Sequence, residues 1–169
     1  MGSNFGDKLK NLHSALNGIK ELKDTQITAF SRIYDTIPYG VEEQDDFLNM
    51  VISIETDIEP VQLLKEIKMI EEKTGRIKRE RWHEREIDID ILLYGERIVN
   101  EKSLNIPHKE LKKRDFFLVP LLEINPDLIL PGEGIFLSSF KIVAEKSYIK
   151  GWNRNFFRMK RGVVFLDEK

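Results

Sequence analysis

Apolar residues recur every three or four positions in two segments of the chain, and this spacing predicts two amphipathic helices. We expect the first helix to begin after a cap at Ser3 or Asn4. The second should begin near Pro60 and run to about Lys73, with Gly75 as its C-terminal stop. The apolar stripes are Leu9, Leu12, Leu16, Ile19 and Leu22 in the first helix, and Val61, Leu64, Ile67 and Ile70 in the second.

Alternation of apolar and polar residues predicts strands at 25–34, 47–56 and 87–93. On the second strand Phe47 and Asn49 share one side, where an aromatic ring beside an amide can hold a flat heterocycle. Ordinary packing is the simpler interpretation of that pair. On the third strand Ile87, Ile89, Ile91 and Leu93 face one side, and Asp88, Asp90 and Leu92 face the other.

Shorter elements are predicted between and after these segments. We expect a short strand at 97–99, a short helix at 109–113 and a helix at 114–124 that Pro120 kinks. Near the C-terminus, residues 162–166 form an apolar run typical of a strand.

Two aspartates on the polar side of the third strand are candidate metal ligands. Residues two apart on a strand lie roughly 6.6 Å apart at Cα, so Asp88 and Asp90 can direct their carboxylates to one cation or to a pair. Their apolar neighbours make an uncompensated pair of charges costly. The acids therefore either bind a cation or face water, and an edge strand with solvated acids is the simpler alternative.

A cluster of cationic residues directly before that strand favours the metal site. Arginine presents a planar fork that matches phosphate oxygens, and carboxylates bind the metal that accompanies a polyphosphate. Trp82, within the cluster, can pack against a base or shield the site. The cluster consists of Arg76, Lys78, Arg79, Arg81 and Arg85. A basic loop followed by an acidic strand indicates a site for a metal-bound nucleotide.

The composition narrows the class of protein. The chain has 169 residues, 41% of them hydrophobic, which suits one α/β domain with a core. Its 27 basic and 29 acidic side chains nearly cancel, so local patches matter more than net charge. The absence of cysteine excludes disulfides, thiolate metal sites and thiol catalysis. With no bilayer-length apolar run and no secretory segment, we expect a cytoplasmic protein that binds neither membranes nor nucleic acids.

The sequence RWHEREIDIDILLYG at residues 81–95 resembles the signature of the 6-hydroxymethyl-7,8-dihydropterin pyrophosphokinase family, which is close to RWGPRxxDLDILLYG. The resemblance covers roughly residues 2–131. It implies an α+β, ferredoxin-like α/β sandwich with a central, mainly antiparallel sheet, and a monomer. It also implies transfer of pyrophosphate from ATP to the hydroxymethyl dihydropterin with two Mg²⁺ ions, leaving AMP. Other similar segments, in the expected order, are GSNFGD, YDTIPYG, DFLNMVI, IEEKTGR, IPH and RDFFLVPLLEINPD.

The resemblance assigns roles to individual residues. Asn49 would bond the pterin edge, Phe47 and Phe116 would stack on its two faces, and Glu71 would lie behind the site. The residues implied for catalysis are Arg76, Arg85, Asp88 and Asp90, with both aspartates as metal ligands. Those implied for ATP are Glu71, Lys78, Arg81, Trp82, Ile91, His108 and Arg114, and those for the pterin are Thr36, Pro38, Tyr39, Phe47, Asn49 and Phe116.

The chain also departs from the family's pattern. His83 and Glu84 stand where the family has Gly-Pro, and Lys78 stands where many members have arginine, so one planar fork is lost. The family has an apolar strand before its GSN segment, whereas this chain starts at Met1. We expect residues 1–131 to form the pyrophosphokinase-like core and 132–169 to extend the same domain. Our hypothesis is that residues 162–167 supply the absent strand; a truncated start or a permuted chain are the alternatives.

Three other functions are compatible with parts of the pattern. An RNA-binding module would show aromatics on its sheet to bases, although acids in the middle of the sheet repel phosphate backbones. A metal-dependent nuclease would use the aspartate pair to cleave phosphodiesters and would release no AMP from ATP. A regulatory domain would bind a pterin or a nucleotide without turning either over.

Overall fold

Three α-helices and a set of short, paired strands make up the described part of a computed structural model. The structure describes residues 1–39, 44–77, 79, 83–142, 147–153, 157–160 and 163–166. The predicted α+β class is confirmed. The helices are α1 (Lys8–Lys20), α2 (Pro60–Lys73) and α3 (Asp115–Ile124), followed by a 3₁₀ helix at Leu137–Ile142. The strands are β1 (Gly2–Ser3), β2 (Thr25–Phe30), β3 (Ile33–Thr36), β4 (Phe47–Asn49), β5 (Ile52–Thr56), β6 (Val99–Asn100), β7 (Asn105–Ile106), β8 (Ile129–Leu130), β9 (Ile135–Phe136), β10 (Ile149–Asn153), β11 (Phe157–Lys160) and β12 (Val163–Leu166).

The two strands predicted at 25–34 and 47–56 are each broken in the middle. The breaks face each other, because the Ser31 N–H donates to the Val51 carbonyl at 2.9 Å and the Val51 N–H donates to Ser31 Oγ at 3.0 Å. A hydroxyl thus replaces a backbone carbonyl and interrupts the ladder at this level. As a result β2 pairs with β5 in one sheet and β3 pairs with β4 in another.

The sheet that carries the site has four strands in the order β1-β4-β3-β10. All its pairings are antiparallel, with Gly2 opposite Asn49, Thr36 opposite Phe47, and Ile149 opposite Thr36. Its edge strand β10 comes from the C-terminal extension. The extension therefore completes the sheet beside the predicted pterin residues.

The predicted strand at 87–93 is extended but is not a regular strand. Asp88 exchanges two backbone hydrogen bonds with Gly2, at 2.9 and 2.8 Å, as an isolated bridge. The next N–H, of Ile89, donates to Glu71 Oε1 at 2.8 Å. A carboxylate from α2 therefore takes the place of a neighbouring strand. The predicted alternation is confirmed, because the isoleucines of this segment are buried and its aspartates are partly exposed.

The cap of α1 differs from the prediction. Asp7, rather than Ser3 or Asn4, is the N-cap, and its Oδ1 accepts from the Lys10 N–H at 3.0 Å. Ser3 belongs to β1, while the buried Asn4 side chain accepts from the Arg85 N–H at 2.7 Å. Both predicted caps are thus used to build the site instead.

The remaining elements follow the sequence in part. Helix α2 begins at Pro60 as predicted, and α3 begins one residue after the predicted start. Residues 109–113 form turns rather than the predicted helix, and the strand predicted at 97–99 lies at Val99–Asn100. No helix among the described residues combines the length and the apolar character that a membrane span requires.

Glu123 ties α3 to the four-stranded sheet. Its carboxylate accepts from Tyr34 Oη at 2.7 Å and from Arg32 through both Nε, at 2.8 Å, and the backbone N–H, at 3.1 Å. Burial, with the hydrogen bond to Glu123, raises the pKa of Tyr34 to about 12, so its hydroxyl stays a donor. The helix that carries Phe116 is therefore fixed to the strand that carries Thr36.

The C-terminal strands form a hairpin of their own. Residues 163–166 pair with 157–160, and within the described residues neither strand joins the four-stranded sheet. Residues 163–166 thus have a different partner from the one hypothesised. A second cavity of about 540 Å³ is lined in part by β5, residues 89–95 and Met1.

Candidate active site

One cavity of about 610 Å³ collects most of the predicted site residues. Its volume lies in the usual range for small-molecule sites. Every residue predicted to bind the pterin lines it, and so do four of the predicted charged residues and His108, whereas Arg76 does not. The predicted residues that line it are Thr36, Pro38, Tyr39, Phe47, Asn49, Arg85, Asp88, Asp90, His108, Arg114 and Phe116.

Gly2 forms the floor of this cavity, between a neutral half around Asn49 and a charged half around Asp88. It pairs with Asn49 on one side and with Asp88 on the other. Side chains directly opposite each other in neighbouring strands point to the same face, so Asn49 and Asp88 flank the glycine on one face. A Cβ at Gly2 would lie 2.2 Å from Asn49 Oδ1. The absence of a side chain here opens the floor.

The neutral half of the cavity is positioned by side-chain hydrogen bonding and the sheet register. Asn49 Nδ2 donates to Thr36 Oγ1 at 2.7 Å across the β3–β4 pair, which fixes the amide. Phe47 lies opposite Thr36 in the same pair. Asn49 and Phe47, which were predicted to hold a flat heterocycle, therefore lie two residues apart on β4 and face the same side of the sheet.

The charged half is centred on Asp88. Arg76 Nη1 lies 2.8 Å from Asp88 Oδ1, and Arg85 Nη1 contacts Asp88 Oδ2. Burial alone would raise the pKa of Asp88, but the charges of Arg85 and Arg76, with Lys68, lower it below its ordinary value. The Asp88 carboxylate is therefore ionised and accommodates two guanidinium groups.

Glu71 lies behind this cluster and does not line the cavity. Its side chain is only 2% exposed, and its Oε2 lies 2.5 Å from Arg76 Nη1. It also accepts from Lys68 Nζ at 2.9 and 3.0 Å, besides the Ile89 N–H. Glu71 thus holds both Arg76 and the segment that carries Asp88, and this supports a place behind the site rather than in contact with ATP.

Arg85 is held by the GSN segment at the start of the chain. Its backbone N–H donates to Asn4 Oδ1 at 2.7 Å, and its carbonyl accepts from the Asn4 N–H at 3.1 Å. Gly2 likewise holds Asp88, through two backbone hydrogen bonds. This short segment therefore sets the spacing between Arg85 and Asp88, a role that a glycine-rich turn does not reveal in the sequence.

His108 presents one ring nitrogen for binding. The Glu110 N–H donates to its Nδ1 at 3.2 Å, so the neutral ring carries its proton on Nε2. Burial lowers the pKa of His108, although the charge of Asp90 opposes the shift. The ring meets Phe117 edge-on at 5.2 Å. A neutral donor is thus fixed at the cavity wall.

Arg114 lies over the aromatic wall. Its guanidinium carbon is 4.5 Å from the Tyr39 ring centroid, 5.3 Å from that of Phe117 and 5.7 Å from that of Phe116. Its Nε is buried and has no hydrogen-bond acceptor among the described residues. A buried donor without an acceptor favours an anionic ligand at this point.

Some predicted residues lie elsewhere. Ile91 belongs to the main core and lines the second cavity instead of this one. Lys78, Arg81 and Trp82 lie outside the described residues. Residues of this cavity that sequence reasoning did not single out are Met1, Gly2, Ile37, Gln44, Met50, His83, Lys109, Glu110 and Phe117. Of these, Ile37, Met50, Lys109 and Phe117 directly adjoin predicted residues in the sequence, and that proximity was the available signal.

The aspartate pair fits Mg²⁺. Carboxylate oxygens are the ligands that this ion prefers, and it commonly binds one or two of them together with substrate phosphates and water. Across the described residues, no group of three acidic, histidine or cysteine side chains is arranged to hold a metal alone. Asp88 and Asp90 would therefore supply only part of the coordination of a bound ion, and water or a phosphorylated substrate would supply the rest.

Comparison with known proteins identifies close relatives. The family model described as 7,8-dihydro-6-hydroxymethylpterin-pyrophosphokinase matches residues 1–126. A 2-amino-4-hydroxy-6-hydroxymethyldihydropteridine pyrophosphokinase from Haemophilus influenzae is 41% identical over 150 residues, which cover 89% of this chain and 94% of the relative. The enzyme of the same name from Aquifex aeolicus is 43% identical over 131 residues, 78% of this chain and 81% of the relative. The folic acid synthesis protein fol1 of Pneumocystis carinii is 36% identical over 83% of this chain, which corresponds to 19% of that protein.

The matched residues 1–126 contain β1 to β5, α2, the segment 87–93 and α3, so they include the elements that build most of the cavity. The resemblance noted in the sequence and the similarity to whole relatives therefore concern the same part of the molecule. The chain belongs to the 7,8-dihydro-6-hydroxymethylpterin-pyrophosphokinase family.

Proposed function

We propose that this cavity transfers a pyrophosphoryl group from ATP to the hydroxymethyl oxygen of 6-hydroxymethyl-7,8-dihydropterin, in folate biosynthesis. The observation that carries the proposal is the pairing of Gly2 with both Asn49 and Asp88. Two strand spacings separate those residues by about 10 Å on one face of the sheet. A bicyclic ring bound at Asn49 would thus extend its substituent towards Asp88.

The neutral half would bind the pterin. The Asn49 amide offers a donor and an acceptor to the pterin edge, and Phe47 and Phe116 offer flat faces for stacking. Thr36, Pro38 and Tyr39 complete this half of the cavity. Because the ring is uncharged, shape and a few hydrogen bonds suffice to orient it.

The charged half would bind the triphosphate with magnesium. Asp88 and Asp90 would hold the ion, which when bound neutralises charge on the phosphates and orients them. Arg114 and His108 add donors that can meet phosphate oxygens from the cavity wall. Lys78, Arg81 and Trp82 are proposed for ATP on the resemblance alone.

Arg76 and Arg85 would exchange partners when ATP arrives. Both now neutralise Asp88, whose two oxygens they contact. Phosphate oxygens compete for the same guanidinium groups, and each arginine that turns to a phosphate frees one carboxylate oxygen. Glu71 would keep Arg76 in place during that exchange, because the ion pair between them does not involve the cavity.

The reaction itself needs mainly positioning. The hydroxymethyl oxygen forms a bond to the β-phosphorus, the bond from that phosphorus to the α–β bridging oxygen breaks, and AMP leaves. The hydroxyl proton is lost during the transfer. Holding the reactants in line lowers the barrier by removing their freedom of motion, so a strong general base is not required.

The test is AMP release from ATP, Mg²⁺ and the hydroxymethyl dihydropterin. Asp88→Ala and Asp90→Ala should each lower turnover at least about 1000-fold and keep the wild-type circular dichroism spectrum. Asp127→Ala, at an exposed aspartate outside the cavity, is the matched control. Full activity in either cavity variant would contradict the metal assignment. Cleavage of phosphodiesters, or binding without turnover, would support the nuclease or the regulatory alternative instead.

A further inference from the structure

A short segment of the C-terminal extension, residues 147–149, is anchored directly behind the neutral half of the cavity. Asp115 Oδ2 accepts from Ser147 Oγ at 2.9 Å, from the Tyr148 N–H at 2.8 Å and from the Ile149 N–H at 3.3 Å. Asp115 is 8% exposed and is the first residue of α3. Three donors on one buried carboxylate oxygen leave this segment little freedom to move.

Tyr148 is also tied to the opposite element. Its carbonyl accepts from the Ile37 N–H at 2.9 Å, one residue after β3. The next residue, Ile149, begins β10 opposite Thr36. The backbone of Tyr148 therefore joins α3 to the end of the strand that carries Thr36.

The Tyr148 ring supports the aromatic wall of the cavity from outside. Its centroid lies 5.2 Å from that of Tyr39 and 5.9 Å from that of Phe116, and its plane is perpendicular to the Phe116 ring. Tyr39 and Phe116 line the cavity, whereas Tyr148 is not among its lining residues. Tilted and edge-on aromatic pairs have preferred geometries, so the Tyr148 ring restricts the orientation of both wall residues.

We propose that Tyr148 is a positioning residue for the pterin, acting through Tyr39 and Phe116, and that Asp115 is its anchor. The inference rests on the proposed assignment of those two residues to the pterin. It extends the site beyond the family-matched residues 1–126 into the C-terminal extension. Removing the ring would let both wall residues rotate, which weakens pterin binding. The charged half would be affected only through Arg114, which lies over Tyr39 and Phe116.

The experiment measures pterin binding directly, by titrating hydroxymethylpterin into the full chain with a non-hydrolysable ATP analogue and Mg²⁺. Two lost aromatic contacts should raise the pterin Kd roughly 10-fold in Tyr148→Ala, with the pterin KM rising in parallel. The KM for ATP should rise less than the pterin Kd, because Arg114 is the proposed phosphate donor that rests on these two rings. The kcat should change less than about 2-fold. Tyr148→Phe should restore wild-type binding, because the ring makes the contacts.

A matched control is Phe140→Ala, which removes a ring from the same apolar cluster, beside Lys112. Phe140→Ala should lower the melting temperature without changing the pterin Kd. If Tyr148→Ala also lowers only the melting temperature, the role of Tyr148 is purely structural and the positioning role is wrong. If Tyr148→Ala does not fold, Tyr148→Leu and Asp115→Asn serve instead, with a pterin Kd raised at least about 3-fold expected in both.

Two further variants separate this inference from the proposed function. If Tyr39→Ala and Phe116→Ala weaken pterin binding but the Tyr148 and Asp115 variants do not, the positioning role is wrong and the proposed function stands. If the Tyr39 and Phe116 variants also bind the pterin normally, the assignment of the wall is wrong and the inference falls with it.

Discussion

The two halves of the cavity are stabilised in opposite ways. The neutral half is held by contacts that a pterin would leave intact, such as the Asn49–Thr36 hydrogen bond and the packing of Tyr148 on Tyr39. The charged half is held by ion pairs between Asp88 and two arginines, and those pairs use the groups that metal and phosphate would need. The neutral half is thus ready for its ligand, whereas the charged half has to exchange partners.

This difference implies that ligands meet unequal costs in the two halves. A preformed site loses little conformational entropy on binding, while a self-paired site must first give up its internal interactions.

Outside the aspartate pair, Arg85→Ala should give the largest effect. Loss of the guanidinium that we propose turns to the phosphates should lower kcat at least about 100-fold. Binding of Mg²⁺ alone should become tighter, because one oxygen of Asp88 is no longer occupied. Isothermal titration with Mg²⁺ and a steady-state assay measure the two effects. Weaker Mg²⁺ binding in this variant would contradict the competition between arginine and metal.

Glu71→Gln should chiefly affect stability. The amide can still accept from the Ile89 N–H, but Arg76 loses a buried counter-charge. Breaking such a pair should lower the free energy of unfolding by about 3 kcal/mol. Urea denaturation measures this, with Glu72→Gln on the exposed side of α2 as the matched control. Equal stabilities of the two variants would show that Glu71 does not hold the charged half.

Gly2→Ala should act on the neutral half. The new methyl group would collide with Asn49 Oδ1, so the amide must turn away. We expect the KM for the pterin to rise roughly 10-fold, as for the loss of one good hydrogen bond. Gly151→Ala is the control, since a Cβ there has no atom within 4 Å. An unchanged pterin KM would remove Asn49 from the pterin site.

His108 should give the smallest effect, through pH. Burial lowers its pKa in the folded protein below the ordinary value of 6.5. As pH falls below 6.5, the unfolded chain takes up a proton that the folded protein does not, so the free energy of unfolding decreases. His108→Gln should reduce this decrease between pH 7.5 and 5.5 in urea denaturation. The same pH slope in both proteins would place the histidine in a solvated environment.

The sequence predicts which residues lie together in the charged cluster better than it predicts the strands around them. Asp88, Asp90 and the arginines lie close together along the chain, so a local motif identifies them. The breaks in the predicted strands depend on Ser31 meeting Val51, and the irregular 87–93 segment depends on Glu71 from α2. Hydrophobic periodicity is a local pattern, so it does not predict contacts between residues that lie far apart in the sequence.

The same reason explains the residues that the pattern missed. Asp115 and Tyr148 are 33 positions apart, and neither belongs to a periodic stripe. Asn4 was predicted as a helix cap because its side chain suits that role, yet the nearby Asp7 caps α1 and leaves Asn4 to hold Arg85. Local preference identified a polar residue with a structural task but assigned it the wrong partner.

The single carboxylate of Glu123 has a consequence for inhibitor design. By joining α3 to β3 it links the helix that carries Phe116 to the strand that carries Thr36. We therefore expect a compound shaped to the neutral half to meet a similar surface with and without bound nucleotide. One aimed at the arginines would have to select a single state, and its potency would depend on which nucleotide is present.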